Sequence, residues 1–530
     1  MLRTTTSTTA NMSLSSIGAK KSITSSILFP SLVRFNHTLS VKMELPNGLK
    51  YTQPTGLFIN NKFVKPAEQT SPTIPVSNPF NESHICDVYE AGKADAEAAI
   101  EAADKAFASW KKTTPDERAK LLYKLADLIE ENSELLASIE TLDNGKALSS
   151  AKGDVQLMAN YFRYGASMCD KIHGTIFQNN TKDGFGYTIR EPVGVCGLIS
   201  SFNFPLMFVS WKLVPALVTG NTCVFKPSEH SCLSTLFFAN LINKAGFPPG
   251  VVNFITGFGA VGGTLTSSPK VKKISFTGSV GTAKKIMSSV GIKKVTLELG
   301  GKSPSIVSSK ARDNLDKVVE NICLGIFYNS GEVCCAGSRV YVQEDIYDEL
   351  VAKLVKYTEN LKVGDGFSDP YYGPLTNKMQ LDKVKQYVGI AKGEGAKLLT
   401  GGSQIGEKGF LFQPTIFGDC NNNMRVVKEE IFGPVLSLVK FKDLKDAIAM
   451  ANDSEYDLAA GVFTSDLNEA VEISNNLNAG TVWVNTYNNF HPTLPFGGHS
   501  GSGYGSEMSE EAFHCYTNVK AVKINIEQKI

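Results

Sequence analysis

The stretch CLGIFYNSGEVCCAGSR, residues 323–339, follows an amphipathic segment and runs into a loop bounded by glycines. It carries two adjacent thiols, Cys334 and Cys335. Earlier in the chain, VTLELGG (residues 295–301) is a β-branched run that ends with a lone carboxylate, Glu298. A thiol nucleophile together with a carboxylate base is sufficient for covalent acyl chemistry. Taken alone, a buried structural Cys and a solvated or helix-capping Glu are the commoner alternatives, so the two stretches indicate a thiol-dependent enzyme site only where other motifs support it.

Short β-branched runs alternate with helical segments from Val193 to this carboxylate. The runs read VGVCGLIS, NTCVFKPS, VVNFITG, KISFTGS and KVTLELGG. Apolar strands joined by crossover helices predict a parallel sheet that is buried on both faces. Ligands of such sheets bind beyond the carboxyl ends of the strands. The chain is therefore predicted to be an α/β protein with its chemistry at that edge.

Composition limits the class of protein. A chain of 530 residues is long enough for two or three domains. The net charge of +1 and the 20% of charged residues show no basic bias towards nucleic acid. No apolar run reaches the ~18 residues that a membrane span needs. Ten cysteines without a CxxC or Cys/His cluster predict neither a disulfide framework nor a metal site, and favour a reducing compartment.

The first part of the chain differs in composition from the rest. Residues 1–43 contain five basic residues and many Ser and Thr, but no Asp or Glu. This composition predicts a mitochondrial transit peptide over residues 1–42, processed near Arg34 and Phe35, and a protein of the mitochondrial matrix. A secretory signal is the alternative, but its apolar stretch would be short and broken by Pro30.

Local patterns predict three elements after this leader. The residues LFINNKFVKP (57–66) predict a hairpin that turns at Asn60 and Asn61. Residues 93–110 repeat apolar side chains at helical spacing. The residues TPDE from Thr114 onward have the capping-box pattern, with Pro at the first position of a second helix.

GEVCCAGSR and LELGGKSP together resemble the cysteine and glutamate signatures of the NAD(P)-dependent aldehyde dehydrogenases. The resemblance extends from about residue 47 to 522 and is nearest to the tetrameric mitochondrial members that act on small aldehydes. Further matching motifs are FNFPLMF (202–208), FKPSEHS (225–231), FTGS (276–279), EEIFGPV (429–435) and PFGG (495–498). The resemblance implies two parallel-sheet Rossmann-type domains plus a β-strand oligomerisation arm.

The resemblance also implies a division of the chain. The expected parts are a cofactor-binding domain (43–170 and 192–300), a catalytic domain (301–500) and an oligomerisation arm (171–191 and 501–530). YTNVKAVKINI (516–526) alternates as an edge strand does, and an exposed edge favours pairing with another subunit. We therefore expect a homo-oligomer, with a tetramer implied by the resemblance.

By resemblance, the reaction is the oxidation of a small aldehyde, such as acetaldehyde, to a carboxylic acid. Cys334 attacks the carbonyl, and the Asn203 amide and the backbone N–H of Cys334 stabilise the alkoxide. Hydride leaves to the nicotinamide, and Glu298 activates the water that hydrolyses the thioester. Cys335 is then a neighbour that is liable to oxidation.

The cofactor site departs from the common dinucleotide fingerprint. Residues 257–262 satisfy G-x-G-x-x-G, but no Asp or Glu occurs between Glu229 and Glu298 to hold a ribose. Glu229 accepts two hydroxyl hydrogen bonds and repels a 2′-phosphate, which favours NAD, while its rotation and the adjacent Lys226 leave NADP possible. By resemblance, the cofactor contacts are Ile199, Lys226, Glu229, Gly259, Phe276, Gly278, Ser279, Gly281, Leu299, Gln380, Glu430 and Phe432.

The resemblance places six aromatic residues along a substrate tunnel. An aromatic funnel without Arg suits small uncharged aldehydes. The six are Phe204, Phe208, Trp211, Tyr328, Phe490 and Phe496.

The chain departs from the family pattern at several positions. Ser201 and Phe202 stand where a proline and a tryptophan are usual, and Ala283 stands where a glycine is usual, with Gly281 as its candidate replacement. The interval between FTGS and ELGG is about three residues short, which bears on cofactor affinity and on the choice between NAD and NADP. Near the C-terminus, His499 and Ser506 replace a common tyrosine and arginine, which bears on subunit contacts.

Two alternative functions remain open from the sequence. An acylating relative would pass the thioester to coenzyme A, but the retained Glu298 favours hydrolysis. A catalytically inactive structural relative would keep the fold, but Cys334, Glu298 and Asn203 are all present.

Overall fold

The computed structural model describes residues 39–68, 71–177 and 184–526. Most of the predicted transit peptide, residues 1–38, lies outside the described residues. No described helix is both long and apolar enough to cross a membrane.

An eight-stranded sheet is built around five parallel strands. In spatial order its strands are Gly503–Tyr504, Lys294–Glu298, Val271–Thr277, Val195–Ile199, Thr222–Lys226, Val252–Phe254, Leu57–Ile59 and Lys62–Val64. The order along the chain reverses at Val195–Ile199, which has Thr222–Lys226 on one side and Val271–Thr277 on the other. Such a reversal opens a crevice at the carboxyl ends of the strands, where ligands bind.

The second large sheet has seven strands. In spatial order its strands are Lys397–Thr400, Thr415–Gly418, Val435–Phe441, Arg339–Gln343, Pro304–Val307, Ala459–Phe463 and Thr481–Val484. All pairs are parallel except the first. The predicted α/β class with two parallel sheets is therefore confirmed, whereas the domain boundaries stay a prediction.

Three antiparallel strands form a separate sheet, Thr517–Asn525, Gly184–Pro192 and Ile176–Phe177. The predicted edge strand at residues 516–526 thus pairs within its own chain. Gly503–Tyr504, within the expected arm segment 501–530, pairs with the end of Lys294–Glu298 in the first sheet. The remaining strands form two-stranded pairs, Ser40–Glu44 with Lys50–Pro54, Thr73–Ser77 with His84–Tyr89, and Tyr456–Asp457 with His499–Ser500.

The helices cover both faces of the large sheets. The α-helices of the described residues are Lys93–Trp110, Pro115–Glu131, Ser133–Asn144, Leu148–Met168, Pro205–Val218, Leu233–Ala245, Gly259–Ser267, Val280–Ser289, Leu315–Phe327, Tyr347–Glu359, Lys378–Gly393, Arg425–Lys428, Leu444–Asn452, Leu467–Asn476 and Ser509–Cys515. Short 3₁₀ helices occupy Cys169–Lys171, Ser309–Asn314, Tyr328–Gly331, Glu344–Ile346 and Gly366–Ser368.

The three local predictions are confirmed. Asn60 and Asn61 have φ of 56° and 59°, as a type I′ hairpin turn requires, and join two paired strands. The predicted helix at residues 93–110 is Lys93–Trp110. Thr114 caps the next helix: its hydroxyl accepts from the backbone N–H of Glu117 at 3.3 Å, and the Glu117 carboxylate accepts from the N–H of Thr114 at 2.7 Å.

The helix Pro205–Val218 carries Phe208 and Trp211 of the predicted tunnel and is buried along its entire length. A helix that is apolar all round belongs inside a large core. Its first turn is fixed by Glu140, whose buried carboxylate accepts from the backbone N–H of Leu206 at 3.1 Å. The helix therefore gives the adjoining Asn203 turn a rigid support.

Candidate active site

The loop that carries Cys334, the candidate nucleophile, follows the helix Leu315–Phe327. The chain passes through three consecutive left-handed residues, Asn329, Ser330 and Gly331, with φ of 49°, 58° and 71°. This conformation costs about 1–3 kcal/mol for each residue other than glycine, so it persists only where surrounding contacts hold it. The Ser330 hydroxyl donates to two backbone carbonyls at 2.8 and 3.1 Å. The bend is therefore fixed, and it presents Cys334 at the end of the loop.

Cys334 is half-buried and lines both a large cleft and an apolar tunnel. Hydrogen bonding with the Cys335 thiol, and then burial, raise the pKa of the Cys334 thiol well above its usual value. Cys335 is fully buried, and its S–H donates to the Asn488 amide oxygen at 3.5 Å. Both cysteines are free thiols. The raised pKa means that a base or a nearby cation must assist formation of the Cys334 thiolate.

Glu298 ends its strand inside the same cleft and is only 3% exposed. Neither carboxylate oxygen has a hydrogen-bond partner among the described residues. Burial raises the pKa of Glu298 well above its usual range, the Glu507 carboxylate raises it further, and Lys212 opposes both. Such an isolated carboxylate is free to accept a proton, as a general base must be.

A buried ion pair lies behind Glu298. The Lys212 ammonium and a Glu507 carboxylate oxygen are 2.7 Å apart, and both side chains are fully buried. The Ser275 hydroxyl oxygen accepts from Lys212 at 3.1 Å. Sequence reasoning missed this pair, although a lysine in the otherwise apolar helix Pro205–Val218 was a signal for it. The pair places a positive and a negative charge beside the candidate base.

We expect Glu507→Gln to move the acid limb of the kcat–pH profile to lower pH. The substitution removes a charge that raises the pKa of Glu298 and leaves Lys212 unopposed, so Glu298 stays ionised to lower pH. It should also destabilise the fold by about 3–5 kcal/mol, because a buried lysine loses its partner. Lys212→Met should move the limb in the opposite direction, and equal shifts in both variants would contradict this account.

Asn203 ties the first sheet to the nucleophile loop. Its amide nitrogen donates to the Glu332 carbonyl at 2.9 Å, and the Asn329 amide nitrogen donates to the Asn203 carbonyl at 3.0 Å. The Asn144 amide donates to the carbonyl of Phe202, which fixes the same turn. The second N–H of the Asn203 amide is left for a ligand oxygen. These reciprocal bonds hold Asn203 in a fixed position relative to the loop that carries the thiol.

The cleft has a volume of about 500 Å³ and collects the carboxyl ends of the first sheet. Ligand pockets usually measure about 300–1,000 Å³. The cleft is lined by Asn203, Glu298 and Cys334. Eleven of the twelve expected cofactor residues also line it, namely Ile199, Lys226, Glu229, Gly259, Phe276, Gly278, Ser279, Leu299, Gln380, Glu430 and Phe432.

Gly281 is the expected cofactor residue that does not line the cleft. It lies on the exposed side of the helix Val280–Ser289, and a Cβ built on it would meet nothing within 4 Å. Ala283, at the position of the usual glycine, is buried in the core. Helical spacing turns the two positions to different faces. That Gly281 takes over the role of the usual glycine stays a prediction.

Both ends of the cleft carry groups suited to a nucleotide. The Ser279 hydroxyl caps the helix Val280–Ser289 by accepting from the backbone N–H of Thr282 at 3.3 Å, and helix N-termini favour phosphate. The Glu430 carboxylate accepts from the N–H of Gly301 at 3.2 Å. A Cβ at Gly300 would lie 2.4 Å from that carboxylate, so a side chain there would displace Glu430 from its present position.

Phe432 has a left-handed backbone with φ of 61° and faces Phe202. Their rings meet edge to face at 5.9 Å, and Phe202 meets His230 edge to face at 6.0 Å. Both Phe202 and His230 line the cleft. The unusual Phe202 therefore fills the tryptophan position with a ring that still supports Phe432.

The tunnel has a volume of about 200 Å³ and ends at Cys334. Five of the expected aromatic residues line it, namely Phe204, Phe208, Trp211, Tyr328 and Phe490. Phe496 does not line the cavity; its ring packs at 5.3 Å from Trp211 and 5.4 Å from Phe490 and supports them from behind. Sequence reasoning missed the polar lining residues Asp154 and Asn488.

Asp154 is buried in the tunnel wall and is held from two sides. Its carboxylate accepts from the Tyr328 hydroxyl at 3.3 Å and from the Lys146 ammonium at 2.6 Å. The same ammonium lies 4.5 Å from the centre of the Phe204 ring and pairs with Glu140 at 2.9 Å. This network fixes the aromatic wall rather than leaving a free charge in the tunnel. No group of metal-ligating side chains occurs in the described ranges.

A doubly wound sheet with a cleft where its strand order reverses is typical of the nucleotide-binding α/β proteins, and the Cys334 thiol lines this cleft. Comparison with known proteins agrees with this. The chain matches the model of the aldehyde dehydrogenase family over residues 64–522. The chain belongs to the aldehyde dehydrogenase family.

Individual relatives resemble the chain over nearly their whole length. It is 49% identical over 493 residues to an aldehyde dehydrogenase of Davidiella tassiana, which covers 92% of this chain and 98% of the relative. It is 45% identical over 482 residues to the mitochondrial aldehyde dehydrogenase of Homo sapiens, covering 89% and 92%. The NAD+ complex of an aldehyde dehydrogenase from Bacillus cereus shares 44% identity with a TM-score of 0.87, covering 89% of this chain and 97% of that one.

Proposed function

We propose that this protein oxidises small uncharged aldehydes, acetaldehyde among them, to carboxylic acids with NAD as the electron acceptor. The observation that carries the proposal is the position of Cys334, at the junction of a nucleotide-sized cleft and an aromatic tunnel. The unpartnered Glu298 carboxylate lines the same cleft. An NAD+ complex of the Bacillus cereus relative supports the choice of cofactor.

The cleft carries residues suited to each part of a dinucleotide. The helix that begins after Ser279 would hold the pyrophosphate, Lys226 and Glu229 the adenosine ribose, and Glu430 with Phe432 the nicotinamide end. When bound there, the nicotinamide ring accepts hydride. The roles of these residues rest on their positions in the cleft and on the family resemblance.

In the first half of the proposed reaction, the Cys334 thiol gives up its proton to solvent, and the thiolate attacks the aldehyde carbonyl from the inner end of the tunnel. The free N–H of the Asn203 amide and the backbone N–H of Cys334 then donate to the alkoxide oxygen. Preorganised donors of this kind contribute a few kcal/mol each in water-excluded sites. The alkoxide collapses with loss of hydride and leaves a thioester on Cys334.

In the second half, Glu298 removes a proton from water as the water attacks the thioester. The products are the carboxylic acid and the regenerated thiol. The carboxylate suits this role because no described group occupies its two oxygens and because its raised pKa makes it a stronger base than an exposed glutamate. The charge pair of Lys212 and Glu507 lies beside it to balance the proton that it gains.

The test is NADH formation from acetaldehyde and NAD, with and without coenzyme A. Hydrolytic oxidation predicts steady turnover that is independent of coenzyme A and releases acetate. Turnover that requires coenzyme A and releases the acyl ester would show an acylating enzyme instead. Absence of NADH with every small aldehyde tried, in protein that binds NAD, would show an inactive relative.

We expect Asn203→Ala to lower kcat about 10²- to 10³-fold, because one donor to the alkoxide is lost. The affinity for NAD, measured by titration, should change little. The rate of Cys334 alkylation by iodoacetamide serves as the control for loop geometry, since Asn203 also bonds the Glu332 carbonyl. A fall in kcat that merely follows a fall in alkylation rate would count against the donor role.

The proposal extends to assembly and location. We propose a homo-oligomer, because the sheet of Thr517–Asn525, Gly184–Pro192 and Ile176–Phe177 exposes apolar side chains, including Phe177 at 52% and Val519 at 59%. A tetramer and the domain division 43–170 with 192–300, 301–500, and 171–191 with 501–530 remain part of this proposal. The acid-free leader and the mitochondrial relative support a mitochondrial matrix location.

A further inference from the structure

The outer end of the cleft is a slot between two helices, Gly259–Ser267 and Val280–Ser289. Its walls are Gly259, Gly262, Gly263 and Thr266 on one side and Thr282, Lys285, Ile286 and Ser289 on the other. The Thr266 and Ser289 hydroxyls are 2.9 Å apart and link the two walls. A Cβ built on Gly259 or Gly263 would meet nothing within 4 Å, so the slot has open space for a flat ring.

Lys285 is a cation in the wall of this slot. Thr282, Lys285, Ile286 and Ser289 follow the three- and four-residue spacing of one helix face. The Lys285 ammonium makes no hydrogen bond or ion pair with the described residues and is exposed to solvent. It is therefore free to interact with a ligand that enters the slot.

Two further charges stand near the mouth of the slot. Lys226 and Glu229 form an ion pair at 3.4 Å. The Lys226 side chain runs along Gly262, since a Cβ there would lie 3.9 Å from the lysine Cδ. Because Lys226 and Glu229 largely neutralise each other, Lys285 leaves this end of the cleft with a net positive charge.

We propose that Lys285 is a specificity-determining residue that lets this enzyme accept the 2′-phosphate of NADP in addition to NAD, an inference that rests on the proposed cofactor site. Ser279 and Lys285 are six residues apart, or about 9 Å along a helix. A flexible lysine at that distance from a pyrophosphate at Ser279 reaches the adenosine part of the ligand. The cation offsets the repulsion that Glu229 exerts on a 2′-phosphate.

The expected size of the effect follows from the charges. A phosphate monoester carries about −1.5 to −2 charges near neutral pH. At a separation of about 6 Å in a water-like dielectric, its attraction to one ammonium corresponds to roughly a tenfold change in dissociation constant. The attraction should weaken at high ionic strength, because the Debye length falls to about 3 Å at 1 M salt.

The test is calorimetric titration of the whole protein with 5′-AMP, 2′,5′-ADP, NAD and NADP. Lys285→Met should weaken 2′,5′-ADP and NADP about tenfold and change 5′-AMP and NAD less than twofold. Lys285→Arg should retain the wild-type affinities, because it keeps the charge. Lys284→Met is the matched control, since Lys284 is the adjacent exposed lysine and does not line the cleft.

Three results would overturn the proposal. The first is that Lys285→Met leaves all four affinities unchanged, the second that it weakens 5′-AMP and 2′,5′-ADP equally, and the third that Lys284→Met has the same effect. Equal loss of affinity for 5′-AMP and 2′,5′-ADP would show that Lys285 contacts the adenosine part that both ligands share. The same effect in Lys284→Met would show a general effect of surface charge. The titrations contain no aldehyde, so their outcome is independent of whether the proposed oxidation occurs.

Discussion

Cys334→Ser should abolish aldehyde oxidation, with kcat/KM for acetaldehyde lowered by roughly four to six orders of magnitude, as in other enzymes that lose their nucleophile. A serine hydroxyl is a much weaker acid than a thiol, so its alkoxide is far less accessible than a thiolate. NADH absorbance in the steady state measures the loss. NAD titration of the same variant should give the wild-type dissociation constant, because the cofactor groups are untouched.

Cys335→Ser is the matched control for this prediction. Cys335 is fully buried, and its S–H donates to Asn488, a bond that serine can also make. The variant should keep most of its activity. Full activity in Cys334→Ser together with loss of activity in Cys335→Ser would reverse the assignment of the nucleophile.

The sequence was sufficient to predict that several motifs meet at one edge of a parallel sheet. Parallel strands bring their carboxyl ends to one edge, so the motifs that follow Val195–Ile199, Thr222–Lys226 and Val271–Thr277 had to converge once those runs were identified as strands. The structure places these ends around one cleft together with Glu298. The same reasoning worked for the Asn60 turn, because its signal lies in adjacent residues.

Features that depend on distant residues could not be predicted in this way. Lys212 and Glu507 are 295 residues apart, and no local pattern indicates that they pair. Phe496 belongs to the correct aromatic cluster, but the resemblance could not show that it lies behind Trp211. The cofactor contact of Gly281 was predicted without knowing which face of the helix Val280–Ser289 carries this residue, and only the structure shows that face. Side-chain direction and long-range pairing are thus what the sequence left open.

The isolation of Glu298 links these findings to the chemistry. A buried carboxylate without hydrogen-bond partners is unfavourable for folding, and the structure retains one directly beside the nucleophile cleft. Gly497 leaves space beside the Glu298 carboxylate, because a Cβ on residue 497 would lie 2.9 Å from a Glu298 oxygen. A site that preserves both an unpaired base and room beside it is suited to admit a water molecule.

Glu298→Gln should therefore separate the two halves of the reaction. The amide cannot accept a proton from water, so deacylation should slow by about 10²- to 10⁴-fold. Attack by Cys334 and hydride transfer do not need that proton transfer, so mixing with acetaldehyde and NAD should give a burst of one NADH per active site and then a stall. Stopped-flow absorbance measures the burst, and mass spectrometry should find an acyl group on Cys334.

The burst is what distinguishes this role from others that Glu298 could have. If Glu298 were needed chiefly to deprotonate Cys334, the variant would show neither a burst nor an acyl group, and iodoacetamide would alkylate it slowly. If Glu298 were only structural, the variant would turn over without a stall. Fold stability is the control: replacing an unpartnered buried charge by an isosteric amide should leave the melting temperature equal or higher, because the desolvation cost of the carboxylate is removed.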